Sequence, residues 1–137
     1  MCGSRDYLGT RGEPTTLEDL ALHSVISFES ISASVQWSFW SDGEEVKTSI
    51  WPRLSVNTID AAIDAGLSGA GLIRAMSYQV VEYVRQQRLR VVMQKFEPEP
   101  RPVHLVYDRQ RRLPLKLRTF VDFVVPRLRE RVMEATL

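Results

Sequence analysis

Two histidines, His23 and His104, and one cysteine, Cys2, are the residues from which a nucleophilic or metal-assisted reaction would be built. A Ser/His/acid relay needs a histidine beside a serine, commonly on a G-x-S-x-G elbow, and the chain has no such elbow. His23 follows a short predicted helix and His104 sits in a predicted strand, so neither is placed next to a nucleophile. Two isolated histidines and one cysteine give no metal-ligand spacing. Cys2 reads as a free thiol. Gly66, Gly69 and Gly71 run as G-x-x-G-x-G between a helix and a strand. That is the reverse of the dinucleotide fingerprint in both order and context. The run reads as a tight connection in which a positive φ or close packing needs glycine. Tyr78-Gln79, at the start of a predicted helix, reads equally as a polar pair in a site or as a capping and packing pair. No catalytic residue, metal ligand or cofactor site is assigned.

Ligand binding asks for different groups. In open α/β sheets, small molecules bind beyond the carboxyl ends of strands, where backbone amides and hydroxyls converge. Two such ends carry suitable residues: Ser27-Phe28-Glu29-Ser30, with Ser32 and Ser34 close behind, and Asn57-Thr58. The second pair stands at a predicted helix N-terminus, whose amides suit a carboxylate. The plainer readings are an ordinary serine loop and an ordinary helix cap.

The elements that must position these residues emerge from pattern. A helical turn is predicted around Arg5 to Thr10, a short helix over Leu17 to Leu22 and a strand over Val25 to Phe28. Val35, Trp37 and Phe39 alternate with polar positions, as do Val46, Thr48 and Ile50; Asp42-Gly43 between them predicts a hairpin. Its second arm is expected to continue through Leu54 and Val56, with an irregularity or edge at Pro52. Helices are predicted over Thr58 to Leu67 and Tyr78 to Gln87. Strands are predicted over Gly71 to Ala75, Leu89 to Phe96 and Val103 to Tyr107. Pro114 suits the first turn of a final helix, striped by Leu117, Phe120, Val121, Val124, Leu128 and Val132 and kinked at Pro126. Helices alternate with strands from Ser55 onward, an α/β pattern.

A chain of 137 residues is one ordinary domain, long enough to fold without staples. One cysteine excludes an internal disulfide framework. No apolar run reaches a membrane span, and Met1 to Asp6 lacks the apolar core of a signal peptide, so a cytoplasmic protein with no membrane partner is expected. The net charge is only +1, yet residues 85–131 hold thirteen basic residues against five acidic ones. The arginines are spread over helices, strands and a loop, which favours solvation over a phosphate site. A basic half and an acidic half can also meet across a subunit contact.

Read in order, the local signatures resemble one family. Gly3-Ser4-Arg5-Asp6-Tyr7-Leu8, Gly12-Glu13-Pro14 and Leu17-Glu18-Asp19-Leu20 with His23 resemble the middle of the effector-binding domain of LysR-type transcriptional regulators. Trp37-Ser38-Phe39 is similar to the next block. Leu54-Ser55-Val56-Asn57 with Ala61-Ala62 is similar to the strand-to-helix step. Gly69-Ala70-Gly71-Leu72 resembles the glycine step, and Ser77-Tyr78-Gln79-Val80 resembles the Ser-Tyr-Gln-Val variant of one branch. The run from Glu97 to Tyr107 and the run from Arg118 to Phe123 resemble the closing strand and final helix. The resemblance covers roughly Gly3 to Arg131. Each motif is weak alone; the ordered series carries it. Arg5 stands where relatives usually have proline.

The resemblance implies a mixed sheet with flanking helices: the second lobe of a type 2 periplasmic-binding-protein-like effector domain over residues 1–112, plus a C-terminal helix over 113–137. It implies that Ser27, Phe28, Glu29, Ser30, Asn57 and Thr58 form one wall of a cleft for a small-molecule effector. It implies that the winged helix-turn-helix and the first lobe lie outside this chain, so that DNA is bound only through the missing N-terminal domain. In the family the final helix packs largely on the first lobe. Here its stripe of Leu117, Phe120, Val121, Val124 and Leu128 is expected to be covered by a homodimer. The competing expectations are a small stand-alone α/β enzyme, for which no catalytic constellation is present, and a dimerisation remnant that senses nothing.

Overall fold

The computed structural model describes residues 1–28, 35–100, 102–107 and 114–135. The chain divides into two compact units, Met1–Pro98 and Glu99–Leu137. The first is built on a five-stranded mixed sheet. Its strands are β1 (Cys2–Ser4), β2 (Val25–Ser27), β5 (Leu54–Ser55), β6 (Leu72–Ile73) and β7 (Leu89–Val91), in the order β5-β2-β6-β1-β7. β2 runs parallel to β5 and β6, whereas β1 runs antiparallel to β6 and β7. A two-stranded sheet, β3 (Val35–Ser41) and β4 (Glu44–Ile50), forms the predicted hairpin. Its two-residue turn has φ 53° at Asp42 and 83° at Gly43, the paired positive φ values of a turn that matches strand twist.

The central strands β2 and β6 carry buried apolar residues on both sides because both faces of the sheet are covered there. Val25 and Leu72 pack with Trp37, Phe39 and Ile50 of the hairpin and with Tyr7 and Leu8 of α1 (Arg5–Arg11). Their neighbours Ile26 and Ile73 point the other way. They pack with Ala62 and Ile63 of α2 (Ile59–Leu67) and Val80 of α3 (Ser77–Arg85). The period-2 alternation therefore sorts two cores onto opposite faces of one sheet.

Caps fix the helix starts. The Ser4 hydroxyl accepts from the Tyr7 amide at 3.2 Å, and Thr58 Oγ1 accepts from the Ala61 amide at 3.2 Å. Gln79 Oε1 accepts from the Met76 amide at 2.9 Å, which places Gln79 in a capping role. The glycine run makes both kinds of demand expected of it. Gly69 has φ +80°, and a Cβ on Gly71 would lie 2.4 Å from the Ser24 carbonyl oxygen.

Several elements differ from expectation. The predicted Leu17–Leu22 helix is a 3-10 turn, Glu18–Leu22. The hairpin's second arm stops at Ile50; past Pro52 the chain joins the other sheet as the edge strand β5. β6 is only two residues long, matching its partners Val25–Ile26. β7 ends at Val91, because Met93 takes φ 59° and turns the chain into a 3-10 turn at Gln94–Phe96. In the second unit, 103–107 form no strand: no described strand pairs with them, and Val103 and Val106 are strongly exposed. That unit's α4 (Leu115–Glu134) continues through Pro126, and none of its residues is buried. Among the described residues, no helix is long and apolar enough to cross a membrane.

Candidate functional site

The parallel strands β2, β5 and β6 end side by side. Ser27 pairs with Ser55 and Ile26 with Ile73, and the Val56 amide donates to the Ser27 carbonyl at 2.8 Å. Two of the predicted positions, Ser27-Phe28 and Asn57-Thr58, thus come after adjacent strands at the same edge of the sheet. Ser27 is 2% exposed, and its hydroxyl has no hydrogen-bond partner among the described residues. A buried hydroxyl without a partner is costly and calls for a reason. Asn57 and Thr58 are exposed at the head of α2. The Thr58 hydroxyl is committed to the cap, while the Ile59 and Asp60 amides lie where no intrahelical acceptor exists. Glu29, Ser30, Ser32 and Ser34 lie outside the described residues.

One residue at this edge was not predicted. Arg74, immediately past β6, lines a small pocket with Ser27, Phe28 and Trp37. The pocket is too narrow for a water molecule. Arg74 Nη2 donates to the Ser38 carbonyl at 2.9 Å, and its guanidinium carbon lies 5.8 Å from the Trp37 ring centre and 5.3 Å from that of Phe39. Both distances fall within cation–π range. The strand-end rule applied to β6 as well as to β2 and β5 would have found Arg74. The expectation of a strand through Ala75 hid it inside an element.

A larger open groove of about 670 Å³ lies at the other end of the same strands. Ser24 and Arg53, just before β2 and β5, line it together with Asp6 and Arg11 of α1 and with Ser68, the residue that closes α2. The C-terminal ends of α1 and α2 meet there, and helix C-termini disfavour anions. The groove is bigger and has polar groups of its own, whereas the N-terminus of α2 is at the opposite edge.

The remaining candidate chemistry has structural partners. His23 Nδ1 lies 3.1 Å from the Tyr7 hydroxyl, which also accepts from the Ser24 amide at 2.8 Å. Burial lowers the His23 pKa and so does the Arg11 charge, against the opposing pull of Asp19. The Cys2 thiol is buried, which pushes its pKa up to about 11. Among the described residues no group of three or more His, Cys, Asp or Glu side chains can hold a metal.

Comparison with known proteins identifies the family and the fold. The family model described as LysR substrate binding domain matches residues 1–129. The transcriptional regulator PgrR of Escherichia coli K12 is 31% identical over 124 residues, 89% of this chain and 42% of that protein. The regulator YhjC of the same organism is 30% identical over 94% of this chain and 44% of its own length. The chain thus spans less than half the length of these curated relatives. Among solved structures, the regulatory domain of AphB from Vibrio vulnificus superposes with TM-score 0.77 at 25% identity, over 91% of this chain and 62% of that one. The regulatory domain of CrgA from Neisseria meningitidis gives TM-score 0.77 at 23% identity over 93% of this chain and 62% of its own, a likeness of fold.

Proposed function

The chain belongs to the LysR substrate-binding-domain family, and from that premise we propose that it is the effector-sensing part of a cytoplasmic transcriptional regulator, not an enzyme. Ser27, Phe28, Asn57 and Thr58 form one wall of the effector site. The observation that carries this reading is the partnerless buried Ser27 hydroxyl at the shared carboxyl edge of β2, β5 and β6. The effector is a small molecule bearing a carboxylate, met by the amides at the head of α2. It acts by favouring one arrangement of the regulator, by no more than its preference for that arrangement. DNA is bound by a separate N-terminal domain of the kind that the HTH-type relatives are named for.

Thermal unfolding against a library of small aliphatic and aromatic acids tests the reading. Saturable stabilisation by some member supports it. A library with no stabilising compound contradicts it and favours a dimerisation role alone.

The second unit supports a homodimer. Leu117, Val121 and Val124 of α4 are only half-buried, and Phe120 and Leu128 are 55% and 44% exposed. A helix striped in this way needs a cover, and a second copy of the chain supplies one. Light scattering on a dilution series should give the dimer mass; a monomer mass at every concentration contradicts it.

A further inference from the structure

We infer that Tyr7, His23 and Ser24 form a proton-operated latch between α1 and the head of β2, closed while His23 is neutral and loosened when His23 takes up a proton. The latch lies at the opposite end of β2 from the proposed effector site and does not depend on it.

Tyr7 is buried in the core that holds Val25 and Leu72, so its hydroxyl joins α1 to the residues that lead into β2. That hydroxyl accepts from the Ser24 amide at 2.8 Å and has one proton of its own to give. Two acceptors are within reach, His23 Nδ1 at 3.1 Å and the Ser24 carbonyl oxygen at 3.4 Å. The second is the longer contact, and that oxygen already accepts from the Leu72 amide at 2.8 Å. The Tyr7 proton therefore goes to Nδ1, which fixes the proton of neutral His23 on Nε2.

A second proton on the ring ends this arrangement. Nδ1 becomes a donor, and it faces a hydroxyl oxygen that already serves Ser24. The Tyr7 proton is left with the 3.4 Å contact, longer than hydrogen bonds between oxygens usually are. The His23 ring also lies against the Tyr7 ring, with 5.7 Å between centres, so its charge would stand at the edge of the core. His23 is only partly buried, and protons reach it.

The charges around it come from both neighbouring elements. Asp19 of the 3-10 turn favours the proton and Arg11 of α1 opposes it. Arg53, just before β5, and Asp6 of α1 line the groove that Tyr7, Arg11 and Ser24 also line. Asp19 is held at about 2 and arginine does not deprotonate, so of His23, Asp19 and Arg11 only His23 changes charge near neutral pH. Burial keeps His23 neutral below its ordinary 6.5. The unfolded chain therefore takes up this proton first. The stability tied to neutral His23 is full above about 6.5 and is lost as pH falls toward the folded value.

The test is an NMR titration of the 137-residue chain labelled with 13C and 15N, from neutral pH into mild acid. At neutral pH His23 should carry its proton on Nε2, with Nδ1 giving the signal of an acceptor. The Ser24 amide and Tyr7 ring signals should move with the His23 ring at one midpoint below 6.5. Ser24 amide exchange, corrected for its intrinsic pH dependence, should rise by up to about tenfold across that midpoint. His23→Asn keeps an acceptor where Nδ1 stood but takes no proton, so its Ser24 amide should stay protected and show no step. Tyr7→Phe deletes the hydroxyl, so its Ser24 amide should exchange faster at every pH, again without a step. Circular dichroism checks that each variant is folded, and His23→Asn carries the comparison if Tyr7→Phe is not. A proton on Nδ1 of neutral His23, Ser24 signals that ignore the His23 midpoint, or a His23→Asn chain that responds to acid as the parent does, each overturns the latch.

Discussion

Replacing Gly71 by alanine should be among the most damaging single-methyl additions this chain can suffer. The new Cβ would stand 2.4 Å from the Ser24 carbonyl oxygen and 2.8 Å from its carbon. Ordinary contact begins at 3.4 Å, so the two backbones must part by about 1 Å. The same Ser24 oxygen accepts the Leu72 amide at 2.8 Å, and Leu72 is fully buried. Parting therefore breaks that bond and strands a buried N–H, at about 1–3 kcal/mol. Overpacking at the β2–β6 junction adds about 1–3 kcal/mol. A total of about 2–6 kcal/mol is a large share of a domain's stability of about 5–15 kcal/mol. Gly69→Ala is the matched comparison. Its nearest neighbour would be Ser4 Oγ at 3.6 Å, so it meets only the strain of φ +80°, about 1–2 kcal/mol. Urea unfolding followed by tryptophan fluorescence measures both. A Gly71→Ala variant within about 0.5 kcal/mol of the parent, or one more stable than Gly69→Ala, would refute the close-approach argument.

Thr58→Ala removes the α2 cap and should cost about 1 kcal/mol in the same assay, with Thr58→Ser near the parent. The Cys2 thiol, raised from 9.0 to about 11 in the folded chain, stays protonated where the unfolded chain ionises. Stability should therefore fall between about pH 9 and about pH 11, by about 2–3 kcal/mol in all; unfolding of Cys2→Ala over that range should lack this component. Asp19 Oδ2 accepts from the Thr15 amide at 2.7 Å, the Thr16 amide at 2.9 Å and the Thr15 hydroxyl at 3.0 Å, and the two amides hold its pKa at about 2. The turn it braces should persist as pH falls past the ordinary carboxylate value near 4 and loosen toward about 2. Amide exchange at Thr15 and Thr16 reads this, and Asp19→Asn should show raised exchange at neutral pH.

The elements that local chemistry dictates were legible in the sequence. Asp42-Gly43 between alternating runs marked the hairpin, and Asn57-Thr58 before an apolar face marked the start of α2, where Thr58 is the residue that caps. Gly69 and Gly71 announced a connection that tolerates no side chain. Tertiary pairing was not legible. β6 and β7 are shorter than their apolar runs because a strand extends only as far as its neighbours do. Val103 to Tyr107 has strand composition but no described partner, and a strand is a property of a pair. Pro52 marked a break, yet nothing local said that the chain beyond it changes sheets. The site was legible in part for the same reason. Ser27, Phe28, Asn57 and Thr58 could be placed at strand ends, whereas Arg74 became visible only once β6 was seen to stop at Ile73 and the hairpin to fold over it.

The most direct test of the account is a crystal structure of the chain with the acid that gives the largest thermal stabilisation. The account predicts that compound at the shared edge of β2, β5 and β6, with its carboxylate toward the head of α2. The same compound in the groove lined by Asp6, Arg11, Arg53 and Ser68 would contradict it.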